Sequence, residues 1–292
     1  MPHTSHRKKQ GQKKRLQVNS EDGWTTITSS SSGASDAQKS HESGFSRTFL
    51  IPHNSNAHPA DIPEGYTLDK LNEDYSRYEK VWTNSQCSKE LATILQERIA
   101  GTQHGQQPVF TDKLDNCVCI GLGSMVDAVS RRAALLQFAA LKQILSILDE
   151  ERTRPALRSS CIAQDPVFNE LDMDFLATTH QVTILRDPEK AASHISNSTF
   201  LYAPHCEWSF LLPALQGGAM SPSLVVCNDI EPLISGPLST SLHGLVSDKA
   251  REFVHLPARE AVAFPRFEPH DSVFNDLSIY WRASEPSRDD KC

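Results

Sequence analysis

Between Cys117 and Cys227 lie five short apolar runs, and each of the first four is followed by a stretch with helical spacing. No other feature limits the fold as strongly. The runs are Cys117–Gly121, Ser160–Ala163, Val182–Leu185, Thr199–Tyr202 and Leu224–Cys227, with helical stretches at Val126–Leu148, Asn169–Ala177, Glu189–Ile195 and Trp208–Leu215. Strands that alternate with helices are joined by crossovers. The expected fold is therefore α/β: a Rossmann-like, three-layer, mainly parallel doubly wound sheet. The longest helical stretch carries Phe138, Leu141, Leu145 and Leu148 on one face and Leu136, Ala140, Ile144 and Ile147 on another, so it should be largely buried. Further along, Val254–Phe264 and Ser278–Trp281 read as antiparallel edge strands.

Upstream, Leu68, Leu71, Tyr75 and Tyr78 recur at three- to four-residue steps, and Leu91, Ile94, Leu95 and Ile99 do the same. Two amphipathic helices packed on the following domain are expected. Residues 1–60 differ in kind, with a basic block from Arg7 to Arg15, a serine run from Ser29 to Ser32, and scattered His, Asn and Pro. Such a segment buries too little apolar surface to offset its ordering entropy, so disorder is expected, with Asp22–Ile27 the more strand-like patch. The expected organisation is a disordered basic and Ser-rich tail over 1–60, a helical lead-in over 61–108, an α/β domain over 109–282 and a polar tail over 283–292.

Composition excludes several classes. No run approaches the ~18 apolar residues of a membrane helix, and the basic start lacks the apolar stretch of a secretory signal. Seven cysteines without a CxxC pair argue against a disulfide framework or zinc ribbon and for reduced thiols, hence an intracellular protein. Residues 1–15 hold six Lys or Arg and no acid, so the net charge of −7 becomes −13 over residues 16–292. That acidic body is a poor partner for nucleic acid, and no membrane partner is expected. The two basic clusters, residues 7–9 and 13–15, fit a nuclear-import signal, so the expected distribution is cytoplasmic and nuclear.

In an open α/β sheet, ligands bind beyond the carboxyl ends of the strands. The candidate ligand-binding residues are therefore Gly121, Gly123, Ser124, Asp165, His205, Cys206, Asn228 and Asp229. Glycines 121 and 123 allow a tight turn and close backbone approach, yet the third glycine of the dinucleotide fingerprint would fall at position 126, which is Val. Asp165 can accept from ribose hydroxyls, or cap the helix that follows its Asp-Pro turn. It lies 44 residues after Gly121 instead of the usual ~20. His205, Cys206 and Glu207 offer an imidazole, a thiol and a carboxylate in succession, against a plain structural reading of the histidine behind Pro204. Three sequence neighbours cannot all face one ion, so no metal site is expected. Cys117 and Cys119 alternate along a buried strand and read as core, while Arg131 and Arg132 read as a solvated or loop-contacting pair, with an anion contact as the alternative.

Several collinear pieces resemble the domain family named after the plant protein "sensitivity to red light reduced" (SRR-like). They are Gly121-Leu122-Gly123-Ser124, Gln137 in the following helix, Gln164-Asp165-Pro166-Val167-Phe168, Thr199-Phe200-Leu201-Tyr202-Ala203-Pro204-His205-Cys206 and Cys227-Asn228-Asp229. Gln164 stands where that family commonly has an aromatic, Ala203 where it has Met, and Asp229 where it has Ser. The resemblance implies a regulator: circadian and light-response output in plants, haem biosynthesis and clock-gene expression in animals, and microtubule-related phenotypes in fungi. It brings no catalytic residues. The leading expectation is thus a regulatory protein with a small-molecule or protein partner at its α/β core and a cofactor left open. Two alternatives stand beside it. One is a methyltransferase-like enzyme using S-adenosylmethionine, from the glycine turn, the acid after the second strand and the Pro-containing segment after the fourth. The other is a haem sensor acting through His205 or Cys206.

Overall fold

The computed structural model describes residues 15–19, 25–29, 58–100, 113–150, 157–206, 211, 215, 221–235, 248, 250–255 and 259–282. The chain divides into two units, Met1–Arg47 and Thr48–Cys292. In the first, β1 (Arg15–Asn19) pairs antiparallel with β2 (Thr25–Ser29), and the register sets Gln17 against Ile27. β2 overlaps the patch read as strand-like. Of the remaining residues expected to be disordered, 1–14, 20–24 and 30–57 lie outside the described ones, as does the C-terminal tail over 283–292.

The second unit opens with α1 (Leu68–Asn84), whose first turn is capped by Thr67 Oγ1 accepting from the Lys70 amide at 3.3 Å. Ser85 ends this helix and starts α2 (Gln86–Ala100): its hydroxyl donates to the Trp82 carbonyl at 2.6 Å and accepts from the Ser88 amide at 3.1 Å. The two helices are not a detachable preamble. Leu71, Tyr75, Trp82, Leu91 and Leu95 share one hydrophobic core with the sheet and with α3 (Arg131–Glu150). Trp82 is buried against Phe267 and Phe274, and its indole N–H donates to Gln143 Oε1 at 2.7 Å. Burying a ring of this size contributes roughly 4–6 kcal/mol by removing apolar surface from water, as an upper figure.

α3 starts five residues later than the apolar periodicity predicts. Residues 126–130 are held in turns by side chains: Ser124 Oγ accepts from the amides of Val126 and Asp127, and Asp127 Oδ2 from those of Val129 and Ser130. Ser and Asp offer the backbone these local partners in competition with the helix, and here they win.

The sheet comprises β3 (Asn116–Ile120), β4 (Cys161–Gln164), β5 (Thr183–Ile184), β6 (Thr199–Ala203), β7 (Leu224–Asn228), β8 (Arg259–Ala263) and β9 (Leu277–Arg282), in the order β5-β4-β3-β6-β7-β9-β8. The first five strands are parallel and β9 runs antiparallel to both of its neighbours. This is the α/β, mainly parallel sheet that the alternation predicts, with the first five strands in Rossmann order. α1, α2 and α3 cover the face carrying Cys117, Cys119, Phe200 and Tyr202, while Ile195, Ile230, Ala250 and Phe253 cover the face carrying Val118, Ile120 and Leu201. Two expectations need correction. β9 is not an edge strand: Ile279 and Trp281 enter one core and Tyr280 the other, so it must be covered on both faces and lies inside the sheet. Residues 254 and 255 belong to a helical stretch, and the edge strand β8 begins only at Arg259.

α4 (Glu170–Asp174) runs into one turn of π-helix, Phe175–Thr179, and α5 (Pro188–Ala192) is capped by Asp187. α6 (Glu231–Ser235) follows β7, and a 3-10 helix, Glu268–Val273, links β8 to β9. The helix expected around Trp208–Leu215 falls largely outside the described residues.

Candidate functional site

Parallel strands end together, so the loops after β3, β4, β6 and β7 meet at one edge of the sheet. Strand order reverses between β3 and β6, where an open sheet leaves room for a ligand. The loop after β3 turns through two left-handed glycines, Gly121 (φ 73°) and Gly123 (φ 79°). A Cβ at Gly121 would stand 3.4 Å from Cys206 Cβ, so the β3 turn lies directly against the segment that leaves β6.

Asp165 serves this loop. Its Oδ2 accepts from the Gly123 amide at 2.8 Å and its Oδ1 from the Val167 amide at 3.0 Å, which makes it a staple between two strand ends. Ser124 is fully buried and donates to Asp172 Oδ2 at 2.7 Å. Asp172 also accepts from the amides of Met125 (2.8 Å) and Asn169 (3.1 Å), while Asn169 Oδ1 accepts from the Asp172 amide, a reciprocal helix cap. Burial holds the Asp172 carboxyl above its ordinary range, against the opposing pull of these donors. Asp172 is not among the candidates that the sequence suggests. Asn169 followed three residues later by an acid is the signal that could have found it.

His205 sits half-buried with left-handed backbone (φ 55°). Its Nε2 lies 2.9 Å from the Val273 carbonyl, which also accepts from Gln137 Nε2 at 3.0 Å. Gln137 in turn accepts through its own carbonyl from the Tyr202 hydroxyl at 2.9 Å. Desolvation lowers the pKa of His205 below the ordinary imidazole value, so the ring is neutral near pH 7. Cys206 is buried under the β3 turn, and its carbonyl accepts from Asn228 Nδ2 at 3.1 Å. Asp229 caps the start of α6 by accepting from the Glu231 amide at 3.2 Å, and it accepts from the Tyr280 hydroxyl at 3.0 Å.

The candidates are thus brought to one edge, but their duties differ. Gly121, Gly123, Ser124, Asp165 and Asp229 shape the loops. His205 and Asn228 each keep one buried polar atom, Nδ1 and Oδ1, with no hydrogen-bond partner. The thiols of Cys119 and Cys227 are pushed well above the ordinary range by burial, as befits core residues. Arg131 does not wait for an anion: its guanidinium stacks 4.2 Å over Tyr66 and donates to the Val126 carbonyl at 2.6 Å. Arg132 Nη1 lies 3.2 Å from His270 Nδ1. Among the described residues no group of three or more His, Cys, Asp or Glu could hold a metal ion, and no helix is long and apolar enough to cross a membrane. Glu207 lies outside the described residues.

Comparison with known proteins bears on this edge of the sheet. A family profile described as SRR1 domain matches residues 91–281, a span that holds every candidate named above. No curated protein matches the chain. Among solved structures, a Corynebacterium glutamicum protein is 12% identical over 75% of this chain and 91% of its own, with a TM-score of 0.38. A putative O-methyltransferase from Klebsiella pneumoniae is 10% identical (76% and 92% covered, TM-score 0.33). An O-methyltransferase from Bacillus cereus, solved in complex with SAH, is 13% identical (76% and 93% covered, TM-score 0.33). Likeness this distant carries no argument about function.

Proposed function

This chain belongs to the SRR1 domain family, and from that premise we propose that it is a regulatory protein that acts by binding, through the strand-end edge of its α/β core. One observation carries the reading: the strand-end groups suited to chemistry are engaged or held inert, whereas unpartnered hydrogen-bond acceptors remain. Asp165 and Asp172 are committed to backbone amides and the Ser124 hydroxyl. The imidazole of His205 is neutral and tied to Val273. Its resemblance to SRR-like proteins motivates the pathway class: circadian or light-response output, or regulation linked to haem biosynthesis. Native mass spectrometry of the protein purified from its own cells should find a retained small molecule or a stable protein partner. Turnover of a small molecule with neither retained would overturn the reading.

A methyltransferase-like activity is the second reading, favoured by the glycine turn after β3 and an acid after β4. The occupation of Asp165 by two amides weighs against it, because a ribose would need that carboxylate. Calorimetry with S-adenosylmethionine and S-adenosylhomocysteine separates the two, and absence of heat from either removes the enzyme. Haem sensing stands third. A Soret band left unshifted when haem is mixed with the protein removes it.

We also propose a distribution over cytoplasm and nucleus, with the basic clusters at 7–9 and 13–15 shifting the balance toward the nucleus. Deleting residues 1–15 should lower the nuclear fraction seen by imaging. An unchanged fraction leaves the tail without a targeting role.

A further inference from the structure

Two atoms at the carboxyl ends of β6 and β7 are unexplained by the fold. The Asn228 amide has its orientation settled by a neighbour: Nδ2 faces the Cys206 carbonyl at 3.1 Å, and a carbonyl oxygen can only accept. The other end, Oδ1, is therefore an acceptor, and it is buried without a partner in a side chain only 7% exposed. The same logic sets the tautomer of His205. Nε2 faces the Val273 carbonyl at 2.9 Å and must carry the hydrogen, so in the neutral ring Nδ1 is a bare lone pair, likewise buried and unpartnered. The two residues are tied together, because Asn228 Nδ2 donates to the carbonyl of Cys206, the residue next to His205.

A buried acceptor left unmade costs ~1–3 kcal/mol, and native proteins tolerate few. His205 is also held in left-handed backbone, a local cost that folded proteins keep mainly where a residue has to present its side chain. Val273's carbonyl takes donors from both Gln137 and His205, which pins the ring instead of letting it turn to find a partner. One acid acts on the ring directly. Asp229 follows Asn228 directly, and its amide donates to the carbonyl of Asp276, the acid whose charge is felt at His205. Gln164 Oε1 is also a buried acceptor without a partner, but Gln164 pairs with Ile120 and so belongs to the opposite face of the sheet.

We propose that His205 Nδ1 and Asn228 Oδ1 together receive a planar N–H donor group, of the amidine, guanidine or amino-heterocycle class, and discriminate against phosphate and carboxylate. The proposal rests on the binding role above and names the ligand class for that site. It runs against what the glycine turn after β3 alone would suggest, since such turns commonly cradle phosphates. Two acceptors with the charge of Asp276 acting on the ring repel an anion and reward a donor.

The test uses the full chain with benzamidine and its isostere benzoate, which differ in presenting two donors or two acceptors. Side-chain NMR signals of His205 and Asn228 are followed in the parent and in His205→Asn, chosen because Asn tolerates left-handed backbone. Millimolar benzamidine should shift both signals, benzoate neither, and His205→Asn should weaken benzamidine roughly 10-fold, the loss of one hydrogen bond. If benzoate shifts the same signals, the donor class is wrong while the binding role stands. If benzamidine moves neither and a long-lived water is seen at Nδ1, water satisfies these atoms and the proposal falls; the retained molecule in the native mass spectrum then judges the binding role by itself. Should His205→Asn fail to fold, the contrast between the two probes on the parent decides.

Discussion

Replacing Asp172 by alanine is expected to lower the stability of the larger unit by about 4–6 kcal/mol, a large share of the ~5–15 kcal/mol that folded domains possess. The side chain is fully buried, and three donors converge on it from two separate loops: the Ser124 hydroxyl, the Met125 amide and the Asn169 amide. Alanine leaves all three buried and unmade, at ~1–3 kcal/mol each. It also removes the direct tie between the β3 turn and α4, leaving the Asp165 staple from Gly123 to Val167 in place. Urea unfolding of Asp172→Ala beside Glu170→Ala measures this, because exposed Glu170 on the same short helix should change stability by no more than ~0.5 kcal/mol. A loss below about 1 kcal/mol at Asp172 would show that the loops hold without it. The pH dependence has a definite sign. The folded-state pKa is raised by burial, so this carboxyl's contribution is complete below the unfolded value of about 3.9 and declines as pH rises through the folded value. The difference between parent and Asp172→Ala should accordingly be larger in mild acid than at neutral pH.

Gly121→Val should cost about 3 kcal/mol, and two causes add. The left-handed backbone at φ 73° costs a non-glycine residue ~1–2 kcal/mol, more with a β-branched side chain. The Cβ would then be in contact with Cys206, at 3.4 Å from its Cβ and 3.6 Å from its sulfur, so that the two further methyl groups of valine crowd a position already in contact. Gly65 separates the two causes, since it has a similar φ of 68° and a Cβ there would find nothing within 4 Å. Gly65→Val should lose only the backbone share. Equal losses at both positions in urea unfolding would mean that Cys206 yields and that the contact between the β3 turn and the β6 exit does not constrain the site.

The elements are legible because burial leaves a local trace. A strand covered on both faces reads as a continuous apolar run, and β3, β4, β6 and β7 each lie within a residue or two of where such a run stands. Leu71, Tyr75, Leu91 and Leu95 lie on helical stripes for the same reason. The start of α3 is not legible in this way, because Ser124 and Asp127 hold turns through an apolar-periodic stretch that a pattern of side-chain hydrophobicity does not register.

By itself, then, the sequence determined the α/β class, the sites of the strands and the two glycines that let β3 turn, since each depends on residues within a few positions of one another. Only the tertiary structure decided which distant groups each candidate meets. Ser124 meets Asp172 across 48 residues and His205 meets Val273 across 68, and no local period encodes such pairings. The inner place of β9 between β7 and β8 is of the same kind. Hydrogen bonds between distant segments are chosen by the packing of the whole sheet. That Asp165 meets the Gly123 amide, and that the Nε2 side of His205 meets Val273, was therefore decided by which strand ends came to lie together.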